Sequence, residues 1–340
     1  MALLTCFLIE LSIASTCVFE LPEQTTKKSQ TVFSISRKSI SLTLSPLTSS
    51  MPWIMFVINK SWLIVFNGMF IFKFVNKNNV FIHHLKPVNK RLFPLVILMK
   101  IIKINATSST NEFIRQLTLQ TELDQVYCVK ANTQTKGRGQ MGTSWLSESD
   151  KNLTVSYLLP HLKINPDQSF FISMLSSLAI IEALKKFNLP QLKIKWPNDI
   201  LSGRKKICGI LIENNFKQAH INSTIIGIGL NVNQIEFNGL PKASSLRLIL
   251  NQEISVDAVF EALNREIEKA YQRLLQLKPE NIKEDYYSKL LGFSEVQSFQ
   301  FPDHSTSAGI IKSVSDQGLI KIEFEKETSE FELKQIKQLY

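Results

Sequence analysis

Three glycines, an arginine and two glutamines are packed into Gln134–Trp145, a polar loop between two largely apolar stretches, Val126–Ala131 and Leu153–Leu159. That arrangement predicts a strand entering the loop and a strand leaving it, so that a sheet presents the loop from a rigid base. Gly137, Gly139 and Gly142 permit backbone angles and close approaches that other residues avoid. Successive N–H groups in such a turn make an anion-binding concavity, and Arg138 adds a planar, permanently charged fork. The loop lacks the closing Gly-Lys-Ser/Thr of a P-loop and the spacing of a dinucleotide fingerprint, so alone it reads equally as a surface loop.

The 340 residues, 44% of them hydrophobic, suffice for a sizeable core and two or three domains. The formal charge of +10 is unevenly placed: residues 1–98 carry ten Lys/Arg against three Asp/Glu, whereas residues 99–340 carry 29 against 26. A basic chain invites a nucleic-acid reading, but no pair of short amphipathic helices joined by a turn precedes residue 99. No nucleic-acid partner is therefore expected. Cys6, Cys17, Cys128 and Cys208 have no metal-ligand spacing, which fits a reduced, cytoplasmic enzyme.

Residues 2–19 are apolar but lack the basic start of a secretory signal. Residues 24–50, rich in Ser and Thr, read as disordered or weakly structured. Residues 51–75 are apolar yet broken by Asn59-Lys60, Asn67-Gly68 and Lys73, leaving no clean bilayer-spanning run. Trp62–Phe72 is the one stretch suited to membrane contact, and membrane association is not expected. The quality of the pattern favours a native start at Met99 over a genuine domain at residues 1–98.

From Met99 the chain is regular. Lys100–Asn105 suits a strand, and Ser109-Thr-Asn-Glu112 matches a capping box opening a helix to about Leu119. A long helical pattern runs over Asp167–Phe187, and strands are expected at Gln191–Lys195, Lys206–Glu213 and Ile221–Asn231. Val256–Leu277 is helical, with Val259, Phe260, Leu263, Ile267, Tyr271 and Leu274 on one face. Beyond Glu295, short strands and turns predict a small antiparallel barrel after a mixed α/β domain.

Lys206 opens a strand running into Ile207, Ile210 and Leu211, which sets its ammonium at the mouth of a core or leaves it a solvated edge lysine. Lys195-Trp-Pro-Asn-Asp199 ends a strand at a proline and projects Asn198 and Asp199; in isolation such residues bond their own backbone. Gly227-Ile-Gly-Leu-Asn231 is a strand narrowed by glycines, either for packing or to admit a ligand.

Taken in order, Ser109-Thr-Asn, Gly137-Arg-Gly-Gln-Met-Gly with Trp145, Lys195-Trp-Pro-Asn-Asp, Lys206-Ile-Cys-Gly-Ile-Leu and Gly227-Ile-Gly-Leu-Asn resemble biotin protein ligases of the monofunctional type. The resemblance spans residues 100–335. It implies an α/β (α+β) fold: a mixed sheet flanked by helices in a class II synthetase-like ligase domain at residues 99–292, plus an SH3-like β-barrel at 293–340. It also implies two reactions at one site. Biotin and ATP, with Mg²⁺, give biotinyl-5′-adenylate and pyrophosphate; a lysine of the biotin carboxyl carrier protein of a carboxylase, such as acetyl-CoA carboxylase, then attacks the mixed anhydride. No covalent enzyme intermediate is needed, which agrees with the lack of a nucleophile-base pair among the motifs.

Carried over by position, Lys206, Arg138 and Asp199 are the implied catalytic residues. Ser109, Thr110, Asn111 and Gln134, the loop residues Gly137, Arg138, Gly139 and Gln140, and Lys206 would bind biotin. Arg138, Gln140, Trp145, Asn198 and Asn231 would bind ATP or the adenylate, and Asn231 would meet Mg²⁺ only through the phosphates. Asp199 would orient biotin or take a proton from the incoming lysine. Well-known members of the family have arginine where this chain has Gln140, and often at Thr143, so looser retention of the adenylate is implied. The alternatives are a lipoate-type ligase and a biotin-responsive repressor. Gly-Arg-Gly with Lys-Trp-Pro-Asn-Asp favours biotin, and the lack of a DNA-binding pattern disfavours the repressor. Monomer and homodimer are both compatible with the sequence.

Overall fold

The computed structural model describes residues 31–35, 40–44, 54–58, 61–66, 69–76, 79–84, 99–121 and 123–340. The chain divides into two compact units, Met1–Val96 and Ile97–Tyr340. In the first, β1 (Thr31–Ile35), β2 (Ile40–Leu44), β3 (Ile54–Ile58), β4 (Ser61–Phe66), β5 (Met69–Asn76) and β6 (Asn79–His84) pair antiparallel in sequence order. β1 and β2 fall in the stretch expected to be weakly structured; its Thr and Ser residues alternate with Ile, Val, Leu and Phe, which is a strand pattern. The apolar stretch 2–19 lies outside the described residues.

The second unit is built on seven strands: β7 (Met99–Thr107), β8 (Val126–Gln134), β9 (Leu153–Leu159), β10 (Leu192–Lys195), β11 (Asp199–Ser202), β12 (Lys205–Lys217) and β13 (His220–Leu230). Their spatial order is β10-β11-β12-β13-β9-β8-β7, with β7–β8 parallel and every other pair antiparallel. Five helices accompany the sheet: α1 (Thr110–Gln120), α2 (Phe170–Lys185), α3 (Leu246–Leu250), α4 (Val256–Gln276) and α5 (Pro279–Lys289). This is the mixed sheet flanked by helices that the sequence predicts.

Period-two alternation divides the sheet into two faces. Cys128, Val155, Tyr157, Ile210, Ile226 and Ile228 point into the large core shared with α2 and α4. Tyr127, Val129, Leu158 and Ile225 point to the opposite face, where they pack against Ile114 of α1. α2 is buried almost all round because it lies between the sheet and α4 and α5. It is the one helix among the described residues long and apolar enough to cross a membrane by composition, and that apolarity is spent in the core. α4 begins as its sequence predicts: Ser255 Oγ accepts from the backbone N–H of Ala258 at 3.2 Å.

The capping box at α1 is corrected. Ser109 occupies the N-cap with extended backbone but makes no side-chain cap hydrogen bond. The Glu112 carboxylate is engaged by Gln116, Arg115 and Arg138 instead of reaching back to the cap. The structure also adds elements beyond the sequence reading: β11, which turns Asp199 into the first residue of a strand, and α5, whose polar composition conceals the buried Ile282 and Tyr286.

Beyond α5, β14 (Val296–Gln300), β15 (Thr306–Val314), β16 (Ile320–Phe324), β17 (Thr328–Phe331) and β18 (Lys337–Leu339) form an antiparallel sheet ordered β17-β16-β15-β14-β18. This arrangement is compatible with an SH3-like barrel. Phe299, Phe301, Phe324 and Phe331 meet edge-on or tilted at its centre, with ring centroids 5.7–6.2 Å apart. The sheet is tied to the seven-stranded part of the unit where Trp196 Nε1 donates to the Gly318 carbonyl at 3.0 Å.

Candidate active site

The face of the sheet that carries α1 is short of large side chains beside that helix. Antiparallel register aligns Gly209, Gly229 and Thr154 in one row, and Leu211, Gly227 and Ser156 in the next. These rows form the floor of a cavity of about 290 Å³. Its other walls come from the start of α1, the Gln134–Trp145 loop, the β10–β11 turn, and Leu333 and Lys334 of the C-terminal sheet.

The glycines of the floor accommodate protein side chains. A Cβ on Gly229 would stand 2.3 Å from Trp145 Cε2, and one on Gly209 would stand 2.9 Å from Cζ3 of the same ring. The Trp145 indole therefore lies directly on the sheet, and its Nε1 is buried with no hydrogen-bond partner among the described residues. A Cβ on Gly227 would meet Asn111 Oδ1 at 2.3 Å. Ser156 Oγ lies 2.6 Å from both Thr110 Oγ1 and Asn111 Oδ1, while Gln134 Oε1 accepts from the Thr110 N–H at 2.9 Å. The first turn of α1 and the end of β8 are thus locked together through polar groups that face the cavity.

The glycine loop is a tight hairpin. Gly139 N–H donates to the Thr143 carbonyl at 2.7 Å and Trp145 N–H to the Gly137 carbonyl at 3.0 Å. Its turn places Met141 at φ 53° and Gly142 at φ 79°. These two N–H groups are consequently engaged in closing the hairpin. Gly137 is required by close approach, since a Cβ there would stand 2.3 Å from the Trp145 carbonyl oxygen. Gly137 lines a second cavity on the other side of the loop rather than the 290 Å³ one. Gln140 lines the 290 Å³ cavity, and its Oε1 is buried with no partner among the described residues.

Three cations line the cavity, Arg138, Lys206 and Lys334, and the first two are already paired with carboxylates. Lys206 Nζ lies 2.7 Å from Asp199 Oδ1 and 5.5 Å from the centre of the Trp145 ring. Arg138 Nη2 lies 3.3 Å from Glu213 Oε1 and 3.7 Å from Glu112 Oε2. The hydrogen bond from Gln116 is the main cause that holds the Glu112 carboxyl below its usual range, with Arg115 and Arg138 adding to it. Beside Asp199, burial holds the Lys195 ammonium below the ordinary lysine range despite the attraction of that carboxylate. Burial pushes the Cys208 thiol far up, as expected of a small core residue without nucleophilic character.

Ser109, Thr110, Asn111, Gln134, Arg138, Gly139, Gln140, Trp145, Asn198, Asp199 and Lys206 all line the one cavity. Asn198 does not bond its own turn: its Nδ2 donates to the Ile210 carbonyl of β12 at 2.7 Å. Asn231, expected beside phosphates, does not line the cavity. It is buried, and its Nδ2 donates to the Ser244 carbonyl at 3.0 Å. Sequence reading missed Ser156, a hydroxyl hidden in the apolar run Leu153–Leu159, and Glu213, which closes a motif whose other residues drew the attention. It also missed Lys334, which a separate sheet brings to the cavity.

Residues 104–231, which supply most of this site, match the model of the biotin/lipoate A/B protein ligase family. The bifunctional ligase/repressor BirA of Bacillus subtilis is 34% identical over 149 residues, covering 42% of this chain and 45% of that protein. The chain therefore spans less than half the length of that relative. The biotin–[acetyl-CoA-carboxylase] ligase of Mycobacterium tuberculosis is 26% identical over 62% of this chain and 79% of its own. Among solved structures, the biotin protein ligase of Aquifex aeolicus with biotin and ATP superposes with a TM-score of 0.57 at 24% identity, covering 71% of this chain and 98% of that one. That likeness speaks to the fold. The likeness to the biotin/lipoate A/B protein ligase family is carried by residues 104–231, the stretch that builds most of the site.

Proposed function

We propose that this chain is an ATP-dependent biotin ligase acting in the cytoplasm on a biotin carboxyl carrier protein, with residues 99–292 as its catalytic domain and 293–340 as a small barrel beside the site. One observation carries the reading: residues from five separated sequence motifs, among them the cations Arg138 and Lys206 and the Trp145 ring, converge on one cavity. In the first reaction the biotin carboxylate attacks the α-phosphorus of ATP and pyrophosphate leaves. In the second the carrier lysine attacks the biotinyl carbonyl and AMP leaves.

Both steps concentrate negative charge where carboxylate and α-phosphate meet. Arg138 and Lys206, held at the cavity by a rigid sheet and a closed hairpin, form a clamp for that charge. Asp199 pairs with the Lys206 ammonium, and in this reading it takes the proton released by the attacking lysine. Ser109, Thr110, Asn111 and Gln134 offer the donors and acceptors for the biotin ring system, and the Trp145 indole offers a flat surface to adenine. Among the described residues no group of three His, Cys, Asp or Glu side chains is suited to a metal, and Asn231 does not line the cavity. In this reading Mg²⁺ arrives on the triphosphate, and no step is assigned to a protein-bound ion.

The test is transfer of labelled biotin to a biotin carrier domain in the presence of ATP and Mg²⁺, run beside labelled lipoate and a lipoyl domain because the family includes both chemistries. Transfer of biotin alone is expected; transfer of lipoate alone, or of neither, would overturn the proposal.

A further inference from the structure

Arg138 and Lys206 each face a protein carboxylate at the cavity, and at Arg138 the arrangement is elaborate. Glu213 lies on the same face of β12 as Gly209 and Leu211, one row beyond the floor. Its Oε1 contacts Arg138 Nη2 at 3.3 Å and Arg115 Nη2 at 2.5 Å, and its Oε2 accepts from Asn111 Nδ2 at 2.7 Å. Glu112 Oε2 completes the cluster, 3.2 Å from Arg115 and 3.7 Å from Arg138. Two guanidinium groups thus share two carboxylates. Arg138 lines both the 290 Å³ cavity and the cavity across the loop, and Glu213 lines only the latter. The carboxylate thus meets the guanidinium from the lining of the second cavity, not from that of the first.

We propose that Glu213 is a positioning residue that acts as the resident counter-anion of Arg138, so that the anionic group of an incoming ligand must compete with it. The inference rests on the function proposed above, which supplies the anion: the carboxylate of biotin. Glu213 also anchors Asn111 against Gly227, so one side chain couples the arginine of the loop to the polar lock at the start of α1. Such a resident partner lowers the affinity for the free acid, and it keeps Arg138 from recruiting adventitious anions when the site holds no biotin. Because the Glu213 side chain is 26% exposed and that of Arg138 41%, solvent weakens the pair, and its removal is expected to change affinity by about two- to five-fold.

The experiment is equilibrium binding of biotin and of its neutral amide to the wild-type chain and to Glu213→Gln. The substitution removes the charge while keeping the volume and an oxygen acceptor for Asn111. Biotin is expected to bind the variant about two- to five-fold more tightly, with the gain shrinking in high salt. The amide should bind both proteins equally, which also shows that the variant is folded. Equal or weaker binding of biotin to Glu213→Gln would overturn the inference while leaving the proposed function standing. A parallel loss for biotin and amide would reduce Glu213 to scaffolding and overturn it too. A wild-type chain that binds neither would overturn the function and the inference together.

Discussion

Lys206 Nζ lies 2.7 Å from Asp199 Oδ1, and a β-bulge makes the pairing possible. Asp199 pairs with Gly209 and Ile200 with Cys208, but Leu201 pairs with Lys206, which leaves Ile207 as the extra residue in β12. Strict alternation from Gly209 would point Ile207 into the cavity and Lys206 into the core. The bulge reverses this, and Ile207 and Cys208 are both fully buried in consecutive positions while Lys206 faces the site.

From this pairing, Lys206→Ala is expected to slow single-turnover formation of biotinyl adenylate by about 10²–10³-fold, the usual cost of losing a preorganised charge donor. Asp199→Asn should cost less in that step and more in transfer to the carrier lysine. Quenched-flow assays of the two half-reactions measure both, and equal losses in each variant would contradict the division of roles.

Two neighbouring floor glycines should respond differently to the same substitution. In Gly229→Ala the new methyl displaces the Trp145 indole, which sits on a loop that can lift, so the KM for ATP should rise at least about tenfold with little loss of stability. In Gly227→Ala the methyl meets Asn111, held by Ser156 and Glu213, so stability should fall by about 1–3 kcal/mol. Urea denaturation and Trp fluorescence with titrated ATP separate the two outcomes.

Gln140 brings to the cavity a buried Oε1 with no partner among the described residues. Gln140→Arg is expected to slow adenylate release by about tenfold, the worth of one charge-assisted hydrogen bond. The off-rate of preformed biotinyl adenylate measures it, and an unchanged rate would remove Gln140 from adenylate retention.

Gly318 adopts φ 101°, and a Cβ there would stand 2.6 Å from the Phe170 ring. Gly318→Ala should therefore destabilise the fold by about 1–3 kcal/mol, through backbone strain and a clash where the C-terminal sheet meets α2. Thermal melts measure the loss, and a midpoint matching that of the unsubstituted chain would refute it.

Lys195 supplies a pH signature. Its folded pKa is lowered by burial, so between that value and the ordinary lysine range the unfolded chain holds a proton the folded chain has released. Its contribution to stability therefore rises with pH through that window, and below the window its desolvation penalty is fully present. Lys195→Met should be more stable than wild type at neutral pH, and the difference should shrink as pH approaches about 10. Urea denaturation at the two pH values checks it; a constant difference would count against the assignment.

Much of this protein is legible in the chain because the signals are local. Periodicity alone places the strands around the glycine loop and the amphipathic α4, and glycine, proline and Asx residues mark where the backbone must turn. The ordered motifs name nearly every residue that lines the cavity. Only tertiary structure decided which way those residues face and what they touch. The bulge at Ile207 aims Lys206 into the site, register stacks Gly209 on Gly229 to seat Trp145, and packing buries Asn231 away from it. Glu213 finds Arg138 across 75 positions of sequence, and Lys334 arrives from another sheet. The physical reason is that a side chain's direction along a strand is set by pairing with a distant strand, and one extra residue in that pairing exchanges core for site.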